Sequence, residues 1–93
     1  MKLYQVITLR SQENILDSDV TIKTFSNIKN AKDFFRMEKE DILSEIYGVS
    51  DSEDVEIRDD NNTEFCVYDD NTGFVVKVKL VEVKNNSFVS VSF

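Results

Sequence analysis

The chain has 93 residues, 41% of them hydrophobic, and a net charge of −7 with no histidine. This length predicts one domain, residues 1–93, and the hydrophobic fraction with seven Phe argues against a disordered chain. Without His and with Cys66 as the only thiol, the chain excludes Ser-His-Asp and Cys-His catalysis, Cys/His zinc sites and an internal disulfide.

The remaining composition narrows the function further. Only two glycines occur, so the chain has no Gly-rich phosphate-binding loop. No apolar run approaches the ~18 residues of a membrane span, and the start MKLYQVITLR lacks the apolar core of a secretory signal. A lone Cys fits a reducing compartment. We therefore expect a cytoplasmic protein that is not an enzyme and uses no cofactor or metal.

The first half of the chain predicts two strands and a helix. Residues 2–9 and 20–25 alternate with the period of a strand, and polar residues separate them. Ser26 is the predicted N-cap of a helix that continues to Tyr47, and Gly48 suits a left-handed C-cap. The apolar stripe of this helix contains Ile28, Ala31, Phe35, Ile42 and Ile46.

The second half predicts only strands, which are residues 55–58, 65–68, 74–84 and 88–93. Gly73 favours a turn with a bulge, and Asn85-Asn86 a second turn. The predicted fold class is α+β, with two layers, one amphipathic helix packed on a mostly antiparallel sheet and the order β-β-α-β-β-β-β. Apolar residues on the second sheet face, such as Val81, Val83 and Phe93, offer a dimer contact.

Acidic residues concentrate in residues 51–70, DSEDVEIRDDNNTEFCVYDD. This segment holds nine carboxylates and one base, Arg58, so its net charge is −8 and the rest of the chain sums to +1. A strand pair about 17 Å long with eight net charges approaches the charge density of duplex DNA, roughly one per 1.7 Å. Such a surface is able to occupy a nucleic-acid-binding site on another protein. It also keeps a small domain in solution, which is the simpler explanation.

Other interpretations of these residues are weaker. The series Asp59, Asn61, Thr63 and the series Asp69, Asn71, Gly73 alternate like the ligands of a calcium-binding loop. The first has Glu64 at the sixth position, where such a loop has Gly, the second has its Gly one place early, and neither has the closing Glu. Paired carboxylates for glycoside hydrolysis require a cleft and a raised pKa, which an exposed hairpin does not supply. We expect Cys66 to be a small packed side chain, because no His activates it.

The helix also carries bases interleaved with acids, namely Lys29, Lys32, Arg36 and Lys39 with Asp33, Glu38 and Glu40. This mixture predicts a solvated helix face rather than a nucleic-acid-binding stripe. Glu38 and Lys39 lie at the two edges of the apolar stripe, and we expect both to extend to solvent.

Four features of the chain carry a resemblance to a class of known proteins. They are the length, the Asn/Lys/Asp/Ile-rich composition, the helix opened by TFSNIKNAKDFF and the acidic hairpin of residues 51–70. In these features the chain resembles the small acidic proteins of bacteriophages and mobile elements, among them anti-CRISPR inhibitors. The resemblance implies a DNA mimic that blocks a nucleic-acid-handling host protein and does not itself bind nucleic acid or membrane. No sequence motif carries it, so it transfers no functional residue.

The sequence therefore predicts a non-enzymatic inhibitor whose acidic hairpin binds a basic surface of a host protein such as a CRISPR effector. Tyr68 or Tyr47 would supply an aromatic anchor. The alternative is a small assembly module that self-associates through its sheet as a homodimer, with acidity serving only solubility. The predicted partner-binding residues are Asp51, Glu53, Asp54, Glu56, Asp59, Asp60, Glu64, Tyr68, Asp69 and Asp70.

Overall fold

A computed structural model describes residues 2–12 and 15–84 and has the predicted α+β fold. In these ranges the elements are β1 (Lys2–Gln12), β2 (Ile15–Phe25), α1 (Ile28–Tyr47), a 3-10 turn (Ser52–Asp54), β3 (Val55–Asp60), β4 (Glu64–Asp69) and β5 (Phe74–Lys84). The predicted turn at Asn85-Asn86 and the predicted strand 88–93 lie outside the described residues.

The five strands form one antiparallel sheet in the order β2-β1-β5-β4-β3. The central strands β1 and β5 pair along their whole length, from Lys2 opposite Lys84 to Gln12 opposite Phe74. Within the described part of the chain, β2 and β3 each pair with one neighbour and are the edges of the sheet. Helix α1 therefore connects the β1–β2 hairpin at one edge to the β3–β4 hairpin at the other.

Helix α1 packs on one face of the sheet, and the core lies between them. The alternation of each strand sends one set of apolar side chains toward the helix, where they meet its stripe. The predicted stripe is confirmed at four positions, but Ile28 is 44% exposed because it lies in the first turn of the helix. The buried core residues are Val6, Ala31, Phe35, Ile42, Ile46, Phe65, Val67, Val76, Val78 and Leu80.

Two predicted helix ends are wrong in detail. The N-cap is Asn27 rather than Ser26, because the Asn27 side chain accepts the backbone N–H of Lys29 at 2.8 Å. Gly48 has a right-handed conformation (φ −73°), and its N–H donates to the carbonyl of Ser44 at 3.1 Å as the last helical bond. Gly73, in contrast, has φ 76°, as the predicted turn requires.

The first two strands are longer than predicted. The polar residues that suggested a loop continue the ladder, with Arg10 opposite Asp19 and Ser11 opposite Ser18. Residues 18–24 are exposed, so a polar side chain there loses little solvation while its backbone gains the hydrogen bonds of the strand pair. Apolar alternation could not reveal this extension.

The sheet face opposite the helix is partly apolar. Ile7 and Cys66 are buried on this face, at 1% and 5% exposure, while Val81 and Val83 are half-buried. Phe93, the third residue of the predicted dimer contact, lies outside the described residues. Among the described residues, no helix combines the length and the apolar character needed to cross a bilayer.

Candidate protein-binding surface

Four of the predicted acidic residues meet at one corner of the domain. Glu53 and Asp54 lie on the 3-10 turn that leads into β3, Asp51 directly precedes that turn, and Asp70 follows β4. The backbone N–H of Asp70 donates to the carbonyl oxygen of Asp54 at 2.8 Å, which joins the two segments. We call these four residues the acidic corner.

The acidic corner is not neutralised within the described part of the chain. None of its four carboxylates lies within ion-pair distance of a Lys or Arg there. Asp51, Glu53 and Asp70 are exposed and Asp54 is half-buried. Four carboxylates without an ion-pair partner among the described residues give this corner a local field of one sign.

The end of helix α1 adds to that field. The helix ends at Tyr47, immediately before the acidic corner, and carries no basic residue in its last turn. Unpaired carbonyl groups give a helix C-terminus a partial negative charge, which cations normally offset. Here acidic residues follow instead, so backbone and side chains create a negative potential at the same place.

Two exposed apolar side chains lie on the same segment. Tyr47 is 47% exposed and Val49 is 69% exposed, directly before Asp51 in the chain. Protein interfaces combine such apolar or aromatic residues with a charged rim, and Tyr is frequent among residues that dominate binding energy. The acidic corner and these two side chains therefore form a candidate protein-binding surface.

The other end of the acidic hairpin has a different character. Asp60 pairs with Lys39 of the helix, and Glu64 lies 3.8 Å from Lys79. Asp59 lines a cavity of about 210 Å³ that the ammonium-bearing side chains of Lys77 and Lys79 also line. These three acids are surrounded by bases, so the charge density inferred from sequence is not uniform along the hairpin.

Asp69 does not lie on the surface, which corrects its prediction as a partner-binding residue. Its side chain is 1% exposed and accepts hydrogen bonds from Ser50 Oγ (2.6 Å), Thr72 Oγ1 (2.8 Å) and the backbone N–H of Asn71 (3.1 Å). Burial alone raises the pKa of the Asp69 carboxyl, but these three hydrogen bonds outweigh it and hold the pKa below its ordinary value. Asp69 therefore fixes the loops that carry the acidic corner.

Glu56 and Tyr68 lie on the sheet face away from the helix, where they form a pair in the strand register. Glu56 lies 3.5 Å from Arg58, and the Arg58 guanidinium lies over the Tyr68 ring at 4.6 Å from its centroid. Tyr68 is half-buried under this cation. Of the two predicted aromatic anchors, Tyr47 is the one that directly precedes the acidic corner in the chain, four residues before Asp51.

Cys66 is a packed side chain, as predicted. Burial raises the pKa of its thiol, and the nearby Lys77 offsets this only in part. A thiol with a raised pKa is a poor nucleophile at neutral pH. In residues 2–12 and 15–84, no group of three or more acidic or thiol side chains is placed to hold a metal ion.

Sequence reasoning missed the contribution of Val49 and of the helix end. The sequence does contain a sign of this surface at Tyr47-Gly48-Val49. There the helix ends without a basic residue in its last turn, and acidic residues follow. The sequence-based prediction instead assigns the charged surface to the strands of the hairpin. Glu38 also differs from its prediction, since it is half-buried and accepts a hydrogen bond from Thr8 Oγ1 at 3.2 Å.

No family model, curated protein or solved structure matches the chain. The function must therefore be argued from the surface itself.

Proposed function

We propose that the protein is a non-enzymatic inhibitor, encoded by a phage or mobile element, that blocks a nucleic-acid-binding surface of a host protein such as a CRISPR effector. The acidic corner binds the basic groove of the host protein, with Tyr47 and Val49 as its apolar centre. The observation that carries this proposal is a group of four carboxylates that have no ion-pair partner among the described residues and that follow the end of helix α1 and two exposed apolar side chains.

Electrostatics supports an inhibitor more than it supports an enzyme. Nucleic-acid-binding grooves are lined with Lys and Arg, which a surface of opposite charge attracts over about 10 Å at moderate salt. Complementary charge raises the association rate and selects the partner, while an aromatic anchor slows dissociation. The acidic corner supplies the charge and Tyr47 supplies the anchor.

The experiment compares two variants of equal net charge. Asp51→Lys/Glu53→Lys changes the acidic corner, and Glu40→Lys/Asp41→Lys changes the exposed helix face, so each variant moves the net charge from −7 to −3. Binding to a panel of purified nucleic-acid-handling proteins is measured by surface plasmon resonance, together with inhibition of any nuclease among them. We expect at least tenfold weaker binding for the corner variant only, a change of about 1.4 kcal/mol. Equal loss in both variants, or loss in neither, contradicts the proposal.

A second candidate function is self-assembly, and the edge strand β2 favours it. Val20 and Ile22 of this strand are 56% and 54% exposed, and within the described residues β2 pairs only with β1. A long edge with apolar side chains is a template for pairing with a second copy. Light scattering after size-exclusion chromatography tests this. A dimer that Ile22→Lys converts to a monomer supports assembly, and a wild-type monomer excludes it.

A further inference from the structure

A second surface of the molecule has the opposite charge. Lys32, Phe35, Arg36 and Lys39 of helix α1 and Asn61 and Asn62 of the β3–β4 loop line an open groove of about 390 Å³. Residues 32, 36 and 39 are spaced so that all three lie on one side of the helix. The β3–β4 loop approaches the same side of the helix. Lys39 pairs with Asp60, the last residue of β3, and the backbone N–H of Leu80 donates to the carbonyl of Thr63 in the loop.

The described side chains that line this groove include three cations and two amides. The Asn61 Oδ1 atom already accepts from Thr63 N (3.0 Å), Thr63 Oγ1 (3.2 Å) and Glu64 N (2.9 Å), which leaves its NH₂ group as the available donor. Lys and Arg side chains only donate. Phe35 is 5% exposed and offers no stacking surface for a base.

The cations of the groove are incompletely neutralised. Lys32 forms no ion pair with any described residue, and Arg36 binds Asp33 through a single contact at 3.0 Å between two exposed side chains. Such an exposed pair contributes about 1 kcal/mol or less and exchanges readily for a stronger anion. Lys39 is paired with Asp60 and is held over the Phe65 ring at 5.6 Å, which fixes its position at the groove.

We propose that this groove binds the phosphate group of a small ligand. A phosphate oxygen accepts several charge-assisted hydrogen bonds at once, and the groove offers two ammonium groups, a guanidinium and amide donors around one space. Its volume lies in the range of small-molecule sites, roughly 300–1,000 Å³. Since Phe35, the aromatic residue among the described residues that line the groove, is buried, the phosphate and not an attached base is the group recognised.

The test is a nuclear magnetic resonance titration of the isotope-labelled full chain with inorganic pyrophosphate. We expect saturable shifts of the backbone amides of Lys32, Arg36, Asn61 and Asn62, with a Kd on the order of 1 mM or tighter. Separate titrations with inorganic phosphate and with adenosine monophosphate show whether one phosphate suffices and whether a nucleoside adds anything.

Matched variants decide whether the groove is the site. Lys32→Gln/Arg36→Gln removes two positive charges from the groove, and Lys23→Gln/Lys29→Gln removes two from outside it. We expect about tenfold weaker binding for the groove variant and little change for the control. Equal weakening in both, or shifts that spread over all lysines without saturation, overturns the proposal. The titration needs no host protein, so its outcome is independent of the inhibitor function.

Discussion

The hydroxyl of Ser50 donates to Oδ2 of Asp69 at 2.6 Å in the interior of the domain. Ser50 lies in the turn after helix α1, and Asp69 is the last residue of β4. This bond therefore joins the turn after helix α1 to the end of β4. Asp51 and Asp70 of the acidic corner directly follow the two bonded residues in the chain. The bond is structural, but the surface proposed for binding depends on it.

Replacing Asp69 by Asn should destabilise the protein. The amide keeps the size of the carboxylate but presents only one accepting oxygen to three donors, which leaves a buried group unsatisfied. We expect a loss of about 1–3 kcal/mol in the free energy of unfolding, measured with urea. The adjacent Asp70→Asn, at an exposed position, is the control and should change stability by no more than about 0.5 kcal/mol. Similar values for the two variants would contradict a structural role for Asp69.

The same carboxyl should make stability depend on acid pH. Its pKa is lower in the folded state than its ordinary value of 3.8. The ionised form is thus favoured by folding, and its contribution is fully present above pH 3.8 and is lost as the pH falls through the lower folded pKa. Urea unfolding of wild type and Asp69→Asn from pH 7 down to pH 2 should show the difference between them shrinking at the acid end. A constant difference would exclude this linkage.

Ile7 and Ile22 face each other in the β1–β2 register, yet substitution should affect them differently. Ile7 is 1% exposed and Ile22 is 54% exposed, although both lie on the sheet face away from the helix. Ile7→Ala should cost about 2–5 kcal/mol by leaving a cavity. Ile22→Ala should cost well under about 1 kcal/mol in the monomer, since that side chain already contacts solvent. Thermal denaturation of the two variants measures both costs. Equal decreases in melting temperature would mean that Ile7 is not packed as described.

Charge reversal in the acidic corner should raise stability while it removes binding. Asp51 follows the helix end and adds a negative charge where the backbone is already negative. Asp51→Lys should therefore increase the free energy of unfolding by about 0.3–0.5 kcal/mol. Thermal denaturation at low salt measures this gain, which should fade at about 1 M salt, where charges are screened within 3 Å. A clear loss of stability would show that the Asp51 carboxylate has a favourable partner.

Binding to a host protein should be fast and sensitive to salt. If opposite charges guide the two surfaces together, raising the salt from 50 to 500 mM should lower the association rate far more than it raises the dissociation rate. Tyr47→Ala should have the reverse signature, a faster dissociation with a nearly unchanged association rate. Surface plasmon resonance separates the two rates. A salt-independent association rate would remove electrostatics from the proposed mechanism.

Which features could be predicted from the sequence depends on how far apart in the chain the residues that determine them lie. The helix stripe, with Phe35 and Ile42, and the alternation of β5 were predictable because local periodicity reports which side is buried. The exact N-cap was less predictable, since Ser26 and Asn27 have similar capping chemistry and only backbone geometry selects between them. The candidate surface was predictable as a charged segment but not as a shape.

The −8 segment, the absence of a catalytic histidine and the two-layer α+β fold class follow from the sequence alone. These properties reside in residue types and in near-neighbour periodicity. The burial of Asp69, the ion pair of Asp60 with Lys39 and the hydrogen bond that joins Asp70 to Asp54 become visible only in the folded chain. Those relationships depend on strand order and register, because these bring together residues that are far apart in the chain and so decide which charges are paired.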